Sequence, residues 1–560
     1  MKKRRVLALL LTGTMALSLA ACGGGEKQEA SASTGKTVDG NVLDADQTYN
    51  SFLFSDPTTL DISKGNDTYG GSILTNTMEP LTRVDENEDG ANVRVPAGAE
   101  SWESNEDGSV WTFHLRDNKW TDGQAVTAAD YVYGIQRTLD PQSGSLNAYL
   151  ITCIKNGEAV NAGEMDPSEL GVKAVDDKTL EITLEQPTPY FMSLTDTRAM
   201  YPQRKDIIEQ YGDSYGSDAE KFIGNGPFKL DSWTHNSEIV LSKNENYYDT
   251  DNVYLDKVVF KILTDETAAY NSFDNGSIEA VNSGSPEWMD RFSQKEGVER
   301  VDYESNSVRF HFYNTKDPLF QNVNVRRAFS AAINREEVNK TIFFDTHTPY
   351  TGWVPVPVST GDLNYREIAG SMDSVVEDAD PKALLIKGME ELGLGSDPST
   401  LTVTFTLGGT NQWLKTYGEY YQQVFNQVLG VNIVLDQNEF GTFQSKINSG
   451  DYQMGYMVWT IDYNDPVSML AIMESGNTSI PTFWGNEEFD AIIEQAAVEM
   501  DDQKRAELCA QAEKILLEEA PVTTIINEQA HNFRNSYVKN LSKTTFNTMG
   551  LKKVYISGRK

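Results

Sequence analysis

The sequence predicts a mixed α/β protein built from more than one packed body. Segments of alternating hydrophobicity, typical of half-buried strands, are interspersed along the chain with segments of helical periodicity. The N-terminal region is followed by about 515 residues, and the whole chain is 39% hydrophobic and 10% aromatic. This apolar content is too large for one core. We therefore expect two or three bodies of mixed structure.

The N-terminus is typical of a secretory signal. A cationic segment, residues 2–5, is followed by an apolar run from Val6 to Leu19. The run is shorter than the roughly 20 residues that span a bilayer as a helix, and it ends in small residues before Cys22. We expect residues 1–21 to be removed. The adjacent Arg4-Arg5 pair leaves export by the twin-arginine route as an alternative.

The order Leu19-Ala20-Ala21-Cys22 resembles the lipobox of bacterial lipoproteins. That resemblance implies that Cys22 becomes the acylated first residue of the mature chain and holds it to the membrane. The alternative is an ordinary signal peptide followed by a chance cysteine. If the lipobox is genuine, residues 22–45 are a lipidated cysteine followed by a flexible tether. Flexibility is expected because the segment consists of small and polar residues and is poor in aromatic residues.

Charge and hydropathy limit the partners of the mature chain. The formal net charge is −36, and it becomes −40 when the four cations of residues 2–5 are removed. Such a charge disfavours nucleic acid as a partner. No later segment is apolar for long enough to cross a membrane, so membrane contact is expected through the lipid alone.

Strand signals recur from the start of the mature chain. Each predicted strand is a short run with alternating or β-branched apolar residues, bounded by turn-forming residues such as Asp56-Pro57. The predicted strands begin near Gln47 and include Val110–Leu115, Val172–Leu184, Ile239–Leu241 and Val258–Leu263.

Helical periodicity is clearest in three segments. Thr127 can cap a helix that runs to Leu139. A second helix is predicted over Val323–Asn334, and a long one from about Asp502 to Glu518, where Pro521 stops it.

The two cysteines after Cys22 are expected to be structural. Cys509 lies on the apolar face of the last predicted helix, where a packing role is favoured. A disulfide between Cys153 and Cys509 is possible in an oxidising compartment, but the sequence does not place the two residues together.

Several separated segments resemble the oligopeptide and dipeptide type of ABC-importer solute-binding proteins, extracellular solute-binding protein family 5. Near the start these are Thr59-Leu60-Asp61 and Met78-Glu79-Pro80-Leu81. The densest agreement is Trp111–Gly123 with Thr127–Tyr133 and Arg137. Later segments are Gly224–Phe228, Asn244–Tyr248, Val325–Arg335, and Trp459-Thr460-Ile461-Asp462-Tyr463-Asn464-Asp465-Pro466.

This resemblance implies a bilobed, periplasmic-binding-protein-like α/β fold of type II, with an extra inserted subdomain. Lobe I is assigned to residues 46–78, 204–312 and 522–560, the inserted subdomain to residues 79–203, and lobe II to residues 313–521. The lobes are expected to close over the ligand by a hinge motion.

The resemblance also implies the function and the site. The chain is expected to be a monomeric, lipid-anchored protein on the outer face of the bacterial cytoplasmic membrane, extracytoplasmic or periplasmic, that delivers peptides to the permease subunits of an ABC importer without a cofactor. In peptide-binding members, the aspartate equivalent to Asp462 takes the α-ammonium of the peptide. Val458 and Thr460 would offer backbone groups, Trp459 an apolar wall, and Tyr463 a further contact.

The same residues have simpler interpretations. Asp462 can serve only to cap a turn before Pro466, and Trp459 can be a core residue. The segment after Asp61 and the segment Thr523–Ile526 depart from the usual family pattern, which leaves peptide length and orientation open.

Other functions on the same fold stay open. They are binding of a metal complex or a glycan, reception of a peptide pheromone, and surface adhesion or chaperoning, of which the last would predict an exposed apolar groove. The histidines His114, His235, His311, His347 and His531 have no metal-binding spacing. The motifs of zinc proteases, P-loop enzymes and serine hydrolases are absent from the sequence, so no enzyme is predicted.

Overall fold

A computed structural model describes residues 33–87, 92–376, 380–542 and 550–559. The predicted signal segment and Cys22 lie outside these residues. None of the described helices combines the length and apolar character that crossing a bilayer requires.

Strands occur along the whole described chain. In the first half they are β1 Ser33–Val38, β2 Asn41–Asp44, β3 Thr48–Leu53, β4 Thr82–Glu86, β5 Asn92–Pro96, β6 Ala99–Ser104, β7 Val110–Leu115, β8 Val172–Asp176, β9 Thr179–Thr183, β10 Phe228–Thr234, β11 Glu238–Lys243, β12 Lys257–Ile262 and β13 Ala280–Asn282. In the second half they are β14 Val298–Tyr313, β15 Thr348–Pro349, β16 Ser359–Thr360, β17 Leu363–Asn364, β18 Thr402–Gly408, β19 Asn432–Asn438, β20 Met454–Thr460, β21 Val522–Asn535, β22 Val538–Lys539 and β23 Tyr555–Ile556.

Helices are interspersed with these strands. They are α1 Thr68–Thr77, α2 Ala128–Leu139, α3 Gly157–Asn161, α4 Lys205–Tyr211, α5 Glu266–Asp274, α6 Pro286–Ser293, α7 Val323–Ala331, α8 Arg335–Ile342, α9 Tyr365–Ala369, α10 Asp373–Val376, α11 Pro381–Glu391, α12 Gln412–Leu429, α13 Phe440–Ser449, α14 Pro466–Leu470, α15 Glu487–Ala496 and α16 Asp502–Glu519.

Local chemistry explains the elements that the sequence predicts best. Thr127 and Asp130 form a reciprocal capping box at the start of α2, which satisfies backbone donors that a helix leaves unpaired. The strand β7 occupies the predicted residues, and α16 ends where Ala520 adopts a left-handed backbone conformation before Pro521.

The described residues form two bodies with separate cores. The first body consists of the described residues within 33–298 and 533–559, and it buries apolar residues from both chain segments together. It contains the sheet β10-β11-β12-β3 and the sheet β6-β7-β9-β8. The second body consists of the described residues within 308–526, and it has two cores on either side of the sheet that contains β14, β20, β18 and β19.

The largest sheet joins the two bodies. Its strand order is β13-β21-β14-β20-β18-β19, with β15 also paired to β21. The long strands β14 and β21 run antiparallel from one body into the other, and their register shifts between Glu304 and Val308. Val308, Phe310 and Phe312 pack in the second body, so β14 enters that body before the predicted boundary at residue 312. The lobe boundaries themselves stay predictions.

The described chain begins with structure in a segment that the sequence predicts to be flexible. Residues 33–44, within the predicted tether, form the antiparallel hairpin β1-β2. The Asn41 side chain donates a hydrogen bond to the Tyr555 hydroxyl at 2.9 Å, and Asp44 accepts from the backbone N–H of Gly558 and Arg559. These partners lie near the C-terminus, so composition alone could not reveal them.

A buried ion pair explains two of the motif residues. Arg137 on α2 donates to both carboxylate oxygens of Asp61 at 2.7 Å, and Asp61 is 2% exposed. The bidentate pair ties the loop before α1 to the face of α2.

Both described cysteines are free thiols. Cys509 is buried on α16 in a core of the second body, as the sequence predicts, and Cys153 is half-buried against the core of the first body. Burial raises the pKa of Cys153 to about 12 and also raises that of Cys509, which disfavours the reactive thiolate.

His311 gives the fold a pH dependence. It is fully buried on β14, where its Nε2 lies 2.9 Å from the Tyr417 hydroxyl, and burial lowers its pKa to about 3. The folded-state pKa is below the unfolded value, so stability is retained above pH 6.5 and lost as the pH falls toward 3. We expect this group alone to cost about 2 kcal/mol of unfolding free energy at pH 5.

Denaturant unfolding at pH 7 and pH 5 tests this expectation. In His311→Gln, which cannot gain the proton, the loss of unfolding free energy between the two pH values should be smaller than in the wild type by about that amount. An identical loss in both proteins would contradict the assignment of a neutral His311.

Candidate functional site

The strand β20 of the largest sheet is paired along both edges at its start and along one edge at its end. β20 pairs with β14 over its whole length, from Met454 to Thr460. Its other edge pairs with β18 at Met454 and Gly455 only. Among the described strands, the later residues of β20 therefore have a neighbour on one side and none on the other.

The backbone direction in β20 decides which groups reach this unpaired side. The Ile461 N–H donates to the Asn306 carbonyl at 3.1 Å, so Ile461 directs its backbone groups toward β14. In an antiparallel pair, successive residues direct these groups to opposite edges. Val458 and Thr460 therefore direct their N–H and C=O groups away from β14. We call the unpaired edge of Val458–Thr460 the free edge of β20.

The free edge is accessible to a ligand. Val458 is 38% exposed, and Thr460 and Asp462 are also exposed. Among the described residues, none forms a hydrogen bond with the outward N–H or C=O groups of Val458 and Thr460. The Thr460 hydroxyl is oriented by the Ser307 hydroxyl at 2.8 Å.

Asp462 lies just beyond the end of the free edge. Its backbone N–H donates to the Ser468 hydroxyl at 3.2 Å, which fixes the turn after β20. The side chain that caps α14 is that of Asp465, which accepts from the Val467 N–H at 3.0 Å. Capping of this helix therefore does not account for Asp462.

Tyr149 lies across from Asp462 and has no signal in the sequence that would have identified it. It belongs to a short 3-10 helix of the first body, Ala148–Ile151, and is 58% exposed. Desolvation raises the pKa of Asp462, and a hydrogen bond with Tyr149 opposes that rise. The pKa of Tyr149 is raised by desolvation and by the Asp462 carboxylate. The two bodies thus bring a phenol and a carboxylate together.

The other two predicted residues are partly engaged in packing. Trp459 directs its side chain to the opposite face from Val458, where it packs against a core of the second body, and its buried indole N–H has no partner among the described residues. Tyr463 stacks on Tyr190 of the first body, with ring centroids 4.9 Å apart. Tyr463 is thus a contact between the bodies, and its role in ligand binding stays a prediction.

A cavity of about 200 Å³ lies beside this stacked pair, between the two bodies. Its lining includes Tyr190, Asn464 and the buried ion pair of Asp465 and Arg505, whose atoms are 3.2 Å apart. Burial raises the pKa of Asp465 to about 6 although Arg505 opposes the rise. Polar groups from the Asp462–Pro466 segment therefore line the gap between the bodies.

A metal complex is one of the alternative ligands on this fold. Within the described ranges, three or more His, Cys, Asp or Glu side chains do not come together as a set that could hold a metal ion. His235 instead contacts Asp56, and His531 contacts Asp302.

Comparisons with known proteins agree with this architecture. The family model described as "Bacterial extracellular solute-binding proteins, family 5 Middle" matches residues 94–480. The dipeptide-binding protein DppE of Bacillus subtilis is 32% identical over 500 residues, which cover 89% of this chain and 90% of that protein.

Solved structures agree over a similar span. The substrate-binding domain of an oligopeptide ABC transporter from Bacillus anthracis superposes with a TM-score of 0.75 and 31% identity, over 92% of this chain and 99% of that chain. Peptide-bound OppA of Listeria monocytogenes gives a TM-score of 0.74 and 27% identity, over 91% of this chain and 99% of that chain. These matches confirm the predicted bilobed α/β fold. The chain belongs to the family 5 bacterial extracellular solute-binding proteins, which are binding proteins of ABC importers and not enzymes.

Proposed function

We propose that this protein captures peptides between its two bodies and delivers them to an ABC importer. The free edge of β20, which ends at Asp462, is the observation that carries the proposal. An extended peptide can satisfy the outward backbone groups of Val458 and Thr460 by adding a strand, which is a general mode of peptide recognition. The names of the B. subtilis and L. monocytogenes relatives support a peptide as the solute.

Asp462 sets the direction of the peptide. A free α-ammonium needs a carboxylate partner when it is removed from water, and Asp462 supplies one at the end of the edge. A peptide whose N-terminus lies at Asp462 runs back along β20 and is antiparallel to it. Tyr149, from the other body, is placed to close over the same end.

The binding mode predicts a dependence on the free ammonium. Asp462→Asn should weaken binding of an unmodified peptide by about 2 kcal/mol or more, roughly thirtyfold, because the ammonium loses its charged partner. N-acetylation of the peptide should weaken wild-type binding similarly and should have little further effect in Asp462→Asn.

Calorimetric titration of ligand-stripped protein with the free and acetylated forms of one tetrapeptide measures both effects. Asp451→Asn is the matched control, because Asp451 is an exposed aspartate just before β20. Equal affinity of the wild type for free and acetylated peptide would contradict capture through the ammonium.

The N-terminal sequence supports a lipid-anchored form of this binding protein. We place the anchor at Cys22, which follows the small-residue end of the apolar segment, and the protein on the outer face of the cytoplasmic membrane as a monomer. The hairpin β1-β2 starts at Ser33, so residues 23–32 of the sequence lie between the proposed anchor and the hairpin.

Metabolic labelling with an alkyne fatty acid tests the anchor in a bacterial host. The wild type and Cys153→Ser should incorporate the label, and Cys22→Ser should not, because only Cys22 follows a signal segment. Equal labelling of Cys22→Ser and the wild type would disprove lipidation at this cysteine.

A further inference from the structure

A cluster of aromatic side chains and one arginine lies beside the free edge of β20. Arg309 on β14 is the register partner of Val458, so the two side chains lie on the same face of the sheet. The Arg309 guanidinium is 5.4 Å from the ring centre of Trp413 and 5.6 Å from that of Phe343. Trp413 also lies 6.2 Å from the Tyr456 ring. We call Arg309, Trp413, Phe343 and Tyr456 the aromatic cluster.

The charge of this cluster is already balanced. Arg309 donates to the Tyr456 hydroxyl at 2.5 Å and forms an ion pair with Glu528 at 2.5 Å. Its side chain is 22% exposed and that of Glu528 is 20% exposed, so both remain partly accessible. A charged ligand side chain of either sign would find no unpaired counter-charge here to offset the loss of its hydration, whereas a neutral flat ring needs none.

The cluster has an open surface for such a ring. Trp413 is 38% exposed although Tyr456 and Phe343 beneath it are buried. Trp413 lies at the start of α12, the helix that follows β18 in the chain. The pairing of β18 with β20 has already ended at this point, since its last paired residue is Thr406. Aromatic rings stack favourably on tryptophan and on a guanidinium plane.

Strand alternation assigns the peptide residue that reaches the cluster. With the ammonium at Asp462, the first peptide residue pairs with Thr460 and the third with Val458, because only these two residues of β20 direct hydrogen-bonding groups outward at the free edge. Paired residues place their side chains on the same face, so the third side chain lies on the face of Arg309. The second side chain lies on the opposite face, with Trp459.

We propose that the aromatic cluster is a specificity site that selects an aromatic side chain at the third position of the bound peptide. This assignment depends on the peptide-binding function proposed above. Trp413 supplies the stacking surface, and the Arg309–Glu528 pair disfavours acidic and basic side chains at that position because it offers them no unpaired counter-charge.

Binding of three tetrapeptides to ligand-stripped protein tests the site. Ala-Ala-Phe-Ala should bind the wild type about tenfold more tightly than Ala-Ala-Ala-Ala, and Ala-Ala-Glu-Ala should bind no better than the latter. Trp413→Ala should reduce the advantage of Phe to within twofold, and Trp413→Phe should retain most of it.

Position and residue controls separate the site from general packing. Trp413→Ala should leave the affinity for Ala-Phe-Ala-Ala unchanged, because the Phe ring of that peptide lies on the opposite face of the sheet, with Trp459. Trp288→Ala is the matched protein control, since Arg291 lies 4.9 Å from that ring in the first body. It should keep the full preference for Phe at position three.

The outcomes distinguish this site from the proposed function. If the free tetrapeptides bind and N-acetylation weakens them, but Phe at position three gives no advantage or Trp413→Ala affects positions two and three equally, the specificity site is wrong and peptide capture stands. If the wild type binds none of the tetrapeptides, both are wrong. If Trp413→Ala fails to fold, Trp413→Phe and the wild-type peptide comparison still decide.

Discussion

The backbone hydrogen-bonding requirement of a β-strand is the constraint from which the site follows. Each N–H and C=O group in a sheet needs a partner, and an exposed strand edge invites pairing with another chain. In this protein β18 leaves β20 after Gly455, which opens the edge at Val458 and Thr460. A strand edge accepts any extended backbone, so it can bind peptides of different sequence. Preference for particular peptide side chains comes from the protein side chains beside the edge.

The first body lies opposite the end of the free edge, across the gap between the two bodies. The strands β14 and β21 belong to both bodies, and their register shift near Glu304 lies where the chain passes from one to the other. Contacts across the gap come from the Tyr190–Tyr463 stack and from Tyr149 opposite Asp462. A rotation at the shared strands would change these contacts together, which is how a hinge couples closure to a ligand.

Local sequence signals predicted the fold where the determinants are close in the chain. The capping box of α2, the alternation of β7 and the periodicity of α16 each depend on residues within a few positions. Residues 33–44 are predicted to be flexible because the segment is small, polar and poor in aromatic residues, whereas the hairpin they form is held by partners at Tyr555 to Arg559, about 500 residues away. Composition does not report contacts at that separation.

The residues of the candidate site likewise fall into those that the sequence could identify and those that depend on contacts between distant segments. Asp462 and the residues of β20 stand in one recognisable block, so the sequence could name them. Tyr149 and Trp413 come from distant segments, and their proximity to the block depends on the packing of two bodies and on the point where β18 ends. The ion pair of Arg309 with Glu528 likewise requires the register of β14 and β21.

Residue-resolved hydrogen exchange of the backbone amides of β20, with and without a saturating tetrapeptide, tests strand addition most directly. The Val458 and Thr460 amides should be protected by the peptide, since they gain carbonyl partners, while the Trp459 amide, which faces β14, should change little. Unchanged exchange at Val458 and Thr460 under saturating peptide would contradict binding at the free edge.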